Sequence, residues 1–314
     1  MNTIIKIKGL IKKYGRIEAV SNLDLNIPQG VVYGFLGPNG AGKTTVIKSL
    51  LGLTTPTAGE IEIFGKNLYL NRNEIMLSVG AVVESPSLFS EFSAYENLKY
   101  LSSLSGGTSK KKIEETLELI GLSHTGKQPV GTFSYGMKQR LGIGQALLPN
   151  NKLIFLDEPT NGLDPHGIRG VRNLIRDLSE NFGVTIFLSS HLLAEVEQVC
   201  DHVAIIDKGI KICESSISDL ISDELIELKV ADFAKFSEFA QKNQITIERS
   251  LKEDHGKLTN VYLKGKEEEI PKLISDISKE KIAIFAISKY SNKLEDIFVK
   301  LTGTNSDNSR SDRF

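Results

Sequence analysis

Hydrophobic and polar residues follow two different periods along this chain, and the changes of period mark its parts. In TIIKIKGL (3–10) and LDLNI (23–27) apolar positions alternate with polar ones, while VVYGFL (31–36) is a short apolar run. Tyr14-Gly15 and Pro28-Gln29-Gly30 lie between them, so the N-terminal region is expected to hold strands joined by tight turns. From about residue 43 to 156, helical and strand-like pieces alternate. Residues 85–132 differ: AYENLKYLSSL and SKKKIEETLELIGL have a helical pattern and are broken by a Ser/Gly loop at 102–109. This stretch is expected to be a helical subdomain inserted in an α/β core. The buried-strand pattern returns in KLIFLDEP (152–159), VTIFLSS (184–190) and DHVAIID (201–207), with the helical PHGIRGVRNLIRDLSENFG between the first two. Strand, helix and strand at this spacing imply a parallel sheet covered by helices on both faces.

After about residue 215 Lys and Glu rise and glycine nearly vanishes, while LIELKV, NVYLKG and IAIFAIS alternate with helical pieces. The expected layout is a first domain over 1–215, a smaller α+β domain over 216–302, and a disordered polar tail over 303–314. No repeat is evident at the periods of solenoid proteins.

Composition narrows the class. The 314 residues carry 38 Lys+Arg against 39 Asp+Glu, a formal net charge of -1, which argues against a protein that coats nucleic acid. Hydrophobic residues make up 40% and charged residues 25%, ordinary for a globular protein and too apolar for disorder. Runs such as VTIFL (184–188) fall far short of the about 20 apolar residues a membrane span needs. The opening MNTIIKIKGLIKKYG alternates apolar and basic residues, unlike a signal peptide. Cys200 and Cys213 lack metal-ligand spacing and are too few for a disulfide framework. A cytosolic chain is expected.

The strongest chemical signal is Gly37-Pro38-Asn39-Gly40-Ala41-Gly42-Lys43-Thr44, directly after VVYGFL and opening a helix near Lys43. It fits G-x-x-x-x-G-K-[ST] in the strand–loop–helix setting the motif requires. The glycines let backbone N–H groups turn inward onto phosphate oxygens, and the helix N-terminus adds positive potential. Lys43 supplies a charge for the β and γ phosphates, Thr44 a hydroxyl for Mg²⁺, and Thr45 a bond to an inner phosphate. The ligand implied is ATP with Mg²⁺.

Such a site needs a carboxylate at the end of a neighbouring strand. LIFLDEPT supplies Asp157 for the metal side and Glu158 to orient or deprotonate the attacking water, with Pro159 stopping the strand. At the end of the next strand stands His191, expected at the same sheet edge, where its imidazole reads the γ-phosphate.

These residues carry a resemblance to the ATP-binding-cassette (ABC) proteins. FSYGMKQR (133–140) resembles their signature sequence, TNGLDP (160–165) their D-loop and LSSH their switch histidine. Tyr14 stands where the family places an aromatic ring that stacks on adenine. The resemblance runs from residue 3 to about 215. It implies an α/β P-loop fold with a parallel core sheet, antiparallel N-terminal strands and the inserted helical subdomain. It also implies a head-to-tail dimer around two ATP molecules. Ser134 and Gly136 of one subunit would complete the phosphate cage of the other, with the D-loop Asp164 beside it. A full set of catalytic residues permits a homodimer.

The signature departs from the family's Leu-Ser-Gly-Gly-Gln, but Ser134 and Gly136 are kept. A second departure is sharper. Most members place at the start of the helical subdomain a glutamine that contacts Mg²⁺; GAVVESPSLF has Glu84 there. Glutamate keeps acceptors for the metal but loses the N–H₂ donor and adds charge. The change is read either as neutral or as altering how hydrolysis couples to transport. Glu84 with the following Ser-Pro and AYENL is similar to the ATPases of exporters that protect bacteria from lantibiotics and bacitracin-like peptides. The ending LEDIFVKLTG is similar to the accessory extension of such subunits.

The resemblance therefore implies a motor subunit on the cytoplasmic face of the membrane, working with separate integral membrane permease chains. Drug, lipid or polysaccharide export and import are the nearer alternatives. A soluble cassette acting on ribosomes or nucleic acid is the more distant one: those forms carry two cassettes or long coiled coils, and this chain has one cassette and no heptad run.

Overall fold

In a computed structural model, residues 2–104, 106–148, 151–221, 224–252, 258–291, 294–295 and 297–298 are described. The chain divides into two compact units, one through Ile217 and one from Ser218 onward. The expected tail over 303–314 lies outside the described residues, as does most of LEDIFVKLTG.

The first unit begins with β1 (Thr3–Tyr14), β2 (Ile17–Pro28), β3 (Val32–Leu36), α1 (Lys43–Leu50), β4 (Ala58–Ile63), β5 (Lys66–Asn67), α2 (Arg72–Met76) and β6 (Val79–Val82). It continues with α3 (Ala94–Ser103), α4 (Lys110–Leu119), α5 (Tyr135–Leu147), β7 (Leu153–Asp157), α6 (Pro165–Glu180), β8 (Thr185–Ser190), α7 (Leu193–Val199), β9 (His202–Asp207) and β10 (Ile210–Ser216). A short helix, α8 (Ile217–Ile221), follows.

β3 is buried along its whole length, as a strand must be when neighbours and covering layers close both its edges and both its faces. Its neighbours are β8 and β9, both parallel to it, within a sheet of order β10-β9-β3-β8-β7-β6. The parallel sheet expected from sequence is present, with one addition: β10 closes its edge antiparallel to β9. The alternating strands at the N-terminus form a separate antiparallel sheet of order β2-β1-β4-β5. Phe187 on β8 packs its ring at 5.8 Å from Tyr33, 5.5 Å from Phe35 and 5.6 Å from Phe155, so aromatic side chains on three adjacent strands fill one core layer.

α6 shows why the chain helps itself into this arrangement. Val171, Leu174, Ile175 and Leu178 recur at helical spacing and are the apolar side chains it buries. Asp164 caps its first turn and Pro165 opens it, the pairing a helix start favours. In the inserted region, α3 starts with a reciprocal Ser93–Glu96 capping box, and α3 and α4 both pack against α5.

The second unit runs β11 (Glu224–Val230), α9 (Phe233–Lys242), β12 (Ile247–Lys252), β13 (Thr259–Lys264), α10 (Ile270–Lys279) and β14 (Ile284–Ser291). Its strands form an antiparallel sheet of order β12-β13-β11-β14, the split β-α-β arrangement. Ile226, Leu228, Val261 and Leu263 meet Phe236, Phe239 and Ile277 of the helices in one core. On the opposite side of the pleat, the Arg249 guanidinium lies 4.1 Å from the Tyr262 ring centre and donates to the Tyr290 hydroxyl. Tyr262 in turn donates to Glu227 at 2.8 Å.

Candidate functional site

Strand register assembles the site. Leu36 at the end of β3 pairs with Ser190 of β8, and Ser189 pairs with Asp157 at the end of β7. Three strand ends therefore meet at the carboxyl edge of the sheet, where open α/β sheets place their ligands. The loop 37–42 leaves β3 here and turns into α1.

The loop needs its glycines for two reasons. Gly40 and Gly42 have φ of 82° and 104°, the left-handed region that glycine enters without strain. A side chain at Gly42 would meet the Ala19 carbonyl at 2.5 Å, and one at Gly37 the Ile206 carbonyl at 2.3 Å. The loop is thus held tightly against β2 and β9 while its backbone stays bare. Lys43 is buried at 6% exposure. Its ammonium donates to the Gly37 carbonyl at 2.7 Å and the Pro38 carbonyl at 3.3 Å, and lies 3.2 Å from Glu158 Oε1.

Beside it, Asp157 is 4% exposed, and both its oxygens are engaged. Thr44 Oγ1 donates to Oδ2 at 3.1 Å, and Ser189 Oγ donates to Oδ1 at 2.5 Å. The same Ser189 hydroxyl accepts the backbone N–H of Glu158 at 2.9 Å. Glu158 itself has φ 50°, a conformation that costs a side-chain-bearing residue of order 1 kcal/mol and clusters at functional sites. It spans Lys43 with Oε1 and His191 Nδ1, 2.8 Å away, with Oε2. An ionised carboxylate can only accept, so this contact suits the His191 tautomer that carries its proton on Nδ1.

Thr44, Asp157, Ser189, Glu158, Lys43 and His191 thus form one connected polar network. Of these, Ser189 is the residue that reading the sequence passed over; the signal for it is a polar side chain, fully buried, in the register position opposite Asp157. Pro38, Asn39 and Ala41 complete the loop, and Thr45 sits half-buried in the first turn of α1.

The remaining sequence candidates lie elsewhere. Ser134 caps α5 by accepting the Met137 N–H, and Asp164 caps α6 by accepting the Gly167 N–H at 2.7 Å. With Gly136, Tyr135, Arg140 and His166 they line a cleft of about 390 Å³. Among the described residues no hydrogen bond or ion pair joins Ser134, Gly136 or Asp164 to the phosphate loop. Tyr14 closes the β1–β2 hairpin opposite Ile17, 48% exposed, with the Lys12 ammonium 4.8 Å from its ring centre. Glu84 follows β6 at φ 65° and pairs with Lys48 of α1 at 3.1 Å; among the described residues no hydrogen bond or ion pair joins it to Thr44 or Asp157.

Next to Glu84, residues Leu51, Arg72, Met76, Val82 and Val83 line an open cleft of about 440 Å³. Phe89, Phe92 and Tyr100, each partly exposed, cluster beyond it with ring centres 5.0 to 6.3 Å apart.

The donor set limits the metal. Among the described residues no three His, Cys, Asp or Glu side chains converge, so a cation at Thr44 and Asp157 would be held by hydroxyl, carboxylate, water and phosphate oxygens. That all-oxygen set with few protein ligands suits Mg²⁺. No helix among the described residues is long and apolar enough to cross a membrane.

Comparison with known proteins agrees with this geometry. The ABC transporter family profile matches residues 20–161. The chain is 43% identical over 307 residues to the bacitracin transport ATP-binding protein BcrA of Bacillus licheniformis, covering 96% of this chain and 98% of that one. It is 42% identical over 225 residues to the lantibiotic transport ATP-binding protein SrtF of Streptococcus pyogenes, 72% of this chain and 95% of that one. Among solved structures, a dimeric ATP-binding cassette in a post-hydrolysis state bound to ADP and Pi matches with TM-score 0.60 and 26% identity, over 68% of this chain and 98% of that one.

Proposed function

Because the chain belongs to the ABC transporter family and is one of its ATP-binding ATPases, we propose that it is the motor of an exporter that removes antimicrobial peptides of the bacitracin or lantibiotic kind. The observation that carries the reading is similarity to a bacitracin transport ATP-binding protein along nearly the whole chain, C-terminal unit included. In this reading the chain sits on the cytoplasmic face of the membrane and docks on a separate permease. The cleft beside Glu84, of mixed polar and apolar lining, and the exposed Phe89–Phe92–Tyr100 cluster offer the docking face, since exposed apolar groups such as these rings mark interaction sites.

The network has the parts hydrolysis needs. The bare loop and Lys43 bind the β and γ phosphates of ATP, and Thr44 with Asp157 would hold Mg²⁺, which would supply positive charge against those phosphates. Glu158 orients a water and takes its proton as the water oxygen bonds to the γ-phosphorus. The bond from that phosphorus to the bridging oxygen breaks, leaving ADP and inorganic phosphate. Lys43 and His191 hold Glu158 from opposite sides, and His191 reads the γ-phosphate. Ser134 and Asp164 cap helix starts within one copy; in this reading they and Gly136 also act across a head-to-tail dimer of identical subunits, where two helix N-termini face the phosphates bound by the other copy. Tyr14 offers a ring face to the adenine, and Glu84 would offer an oxygen to the metal.

The test is resistance. Expressed with its permease in a sensitive bacterium, the chain should raise the bacitracin or lantibiotic concentration needed to stop growth, and Lys43→Ala should abolish the gain. Unchanged sensitivity to both classes with an ATPase-active complex in the membrane would overturn the substrate assignment.

A further inference from the structure

The loop over residues 83–92, between β6 and α3, contains no helix or strand, yet two contacts fix it on either side of Ser85. Upstream, Glu84 pairs with Lys48 Nζ at 3.1 Å. Downstream, Pro86 fills the space left by the missing side chain of Gly142 on α5, where a Cβ would come within 2.6 Å of the proline ring. The first contact reaches α1, the helix that the phosphate loop opens. The second reaches α5, the helix that Ser134 caps. The segment Glu84–Pro86 is therefore a strap between the two helices.

Lys48 is well placed for this. It lies one turn after Thr44 on α1, so the two side chains share a face, and Thr44 is the residue that donates to Asp157. Lys48 is also in the last turn of α1, where a cation is favoured by the helix dipole. Glu84 has φ 65°, a conformation that side-chain-bearing residues keep only when their surroundings impose it. An amide at this position would bring no charge. A carboxylate adds negative charge on the side of the site that already holds Asp157 and the phosphates, and Lys48 is the cation that offsets it.

We propose that Lys48 is a positioning residue for Glu84, tying the strap to α1 and neutralising the carboxylate so that it can serve at the metal–nucleotide site. This rests on the reading that Glu84 acts at that site. The consequence is dependence: Lys48 matters because residue 84 is glutamate, and would lose its importance beside a glutamine.

The experiment uses the full chain and a fluorescent, non-hydrolysable ATP analogue, titrated with and without Mg²⁺. Amide exchange over residues 83–87 serves as a second readout. The pair is partly exposed, with side chains 39% and 71% accessible, so Lys48→Met should weaken binding in Mg²⁺ about twofold to fivefold and speed exchange in the strap. The loss should shrink in high salt, and Lys48→Arg should keep most of the native affinity. In a Glu84→Gln background, Lys48→Met should change neither readout further. Equal effects of Lys48→Met in both backgrounds, with Glu84→Gln itself altering binding, would overturn the positioning role and leave Glu84 at the site. A silent Glu84→Gln would overturn both.

Discussion

Ser189 donates its hydroxyl proton to Asp157 at 2.5 Å, and the two residues are register partners on adjacent parallel strands. The same oxygen receives the N–H of Glu158, so one side chain sets the spacing between the metal-side carboxylate and the residue that handles water.

Removing that hydroxyl should be costly out of proportion to its size. Ser189→Ala strands a buried carboxylate oxygen and a backbone N–H, a loss of about 1–3 kcal/mol in stability. The ATPase kcat should also fall roughly tenfold or more as Asp157 and Glu158 shift relative to the nucleotide. Denaturant melts and steady-state phosphate release check the two effects separately.

The core beneath the site gives a second prediction. Phe187 touches the rings of Tyr33, Phe35 and Phe155, and Phe187→Ala should destabilise the first unit by about 3–5 kcal/mol. Equilibrium unfolding of the variant reads this directly.

Acid should loosen the start of α3. Hydrogen bonds from the Ser93 backbone and side chain hold the Glu96 carboxyl below its ordinary range. A carboxyl depressed in the folded state contributes stability above its unfolded value, and that stability is lost as pH falls through the folded one. Melting temperatures of the native chain and Glu96→Gln, compared from neutral pH into acid, should differ at neutrality and converge in acid.

Alkali should act on the C-terminal unit instead. Burial, then the hydrogen bond to Glu227, push the Tyr262 phenol from 10.0 up to about 12. A pKa raised on folding contributes stability that is complete below the unfolded value and disappears as pH rises through the folded one. The expected results are a tyrosinate absorbance step near pH 12 that is smaller in Tyr262→Phe, where Tyr69, also raised to about 12, still contributes, and a native chain that loses stability from about pH 10 upward.

Much of this arrangement was legible before any coordinates. The phosphate loop declares itself because its residue types and spacing are imposed by backbone geometry, and Asp157, Glu158 and His191 follow from lying at the ends of short apolar runs. Local pattern also suffices for α6, whose cap, proline and apolar stripe all agree. What escaped depends on register and on distant pairing. Ser189 gains its role from standing opposite Asp157, which no local signal announces. Lys48 and Glu84 are joined across 36 positions of sequence. β10 runs antiparallel on the edge of an otherwise parallel sheet, and IKICESS has no period that distinguishes the two directions. Asp164 reads as a family motif residue, while within this chain its carboxylate caps a helix.

The most direct measurement is phosphate release by the purified chain with ATP and Mg²⁺, native against Glu158→Gln. The native chain should hydrolyse ATP, and the variant should bind it while releasing phosphate at least about 10²-fold more slowly, the range expected for loss of a general base. Native-rate hydrolysis by Glu158→Gln would contradict the assignment of Glu158 and with it the reading of this network as the hydrolytic site.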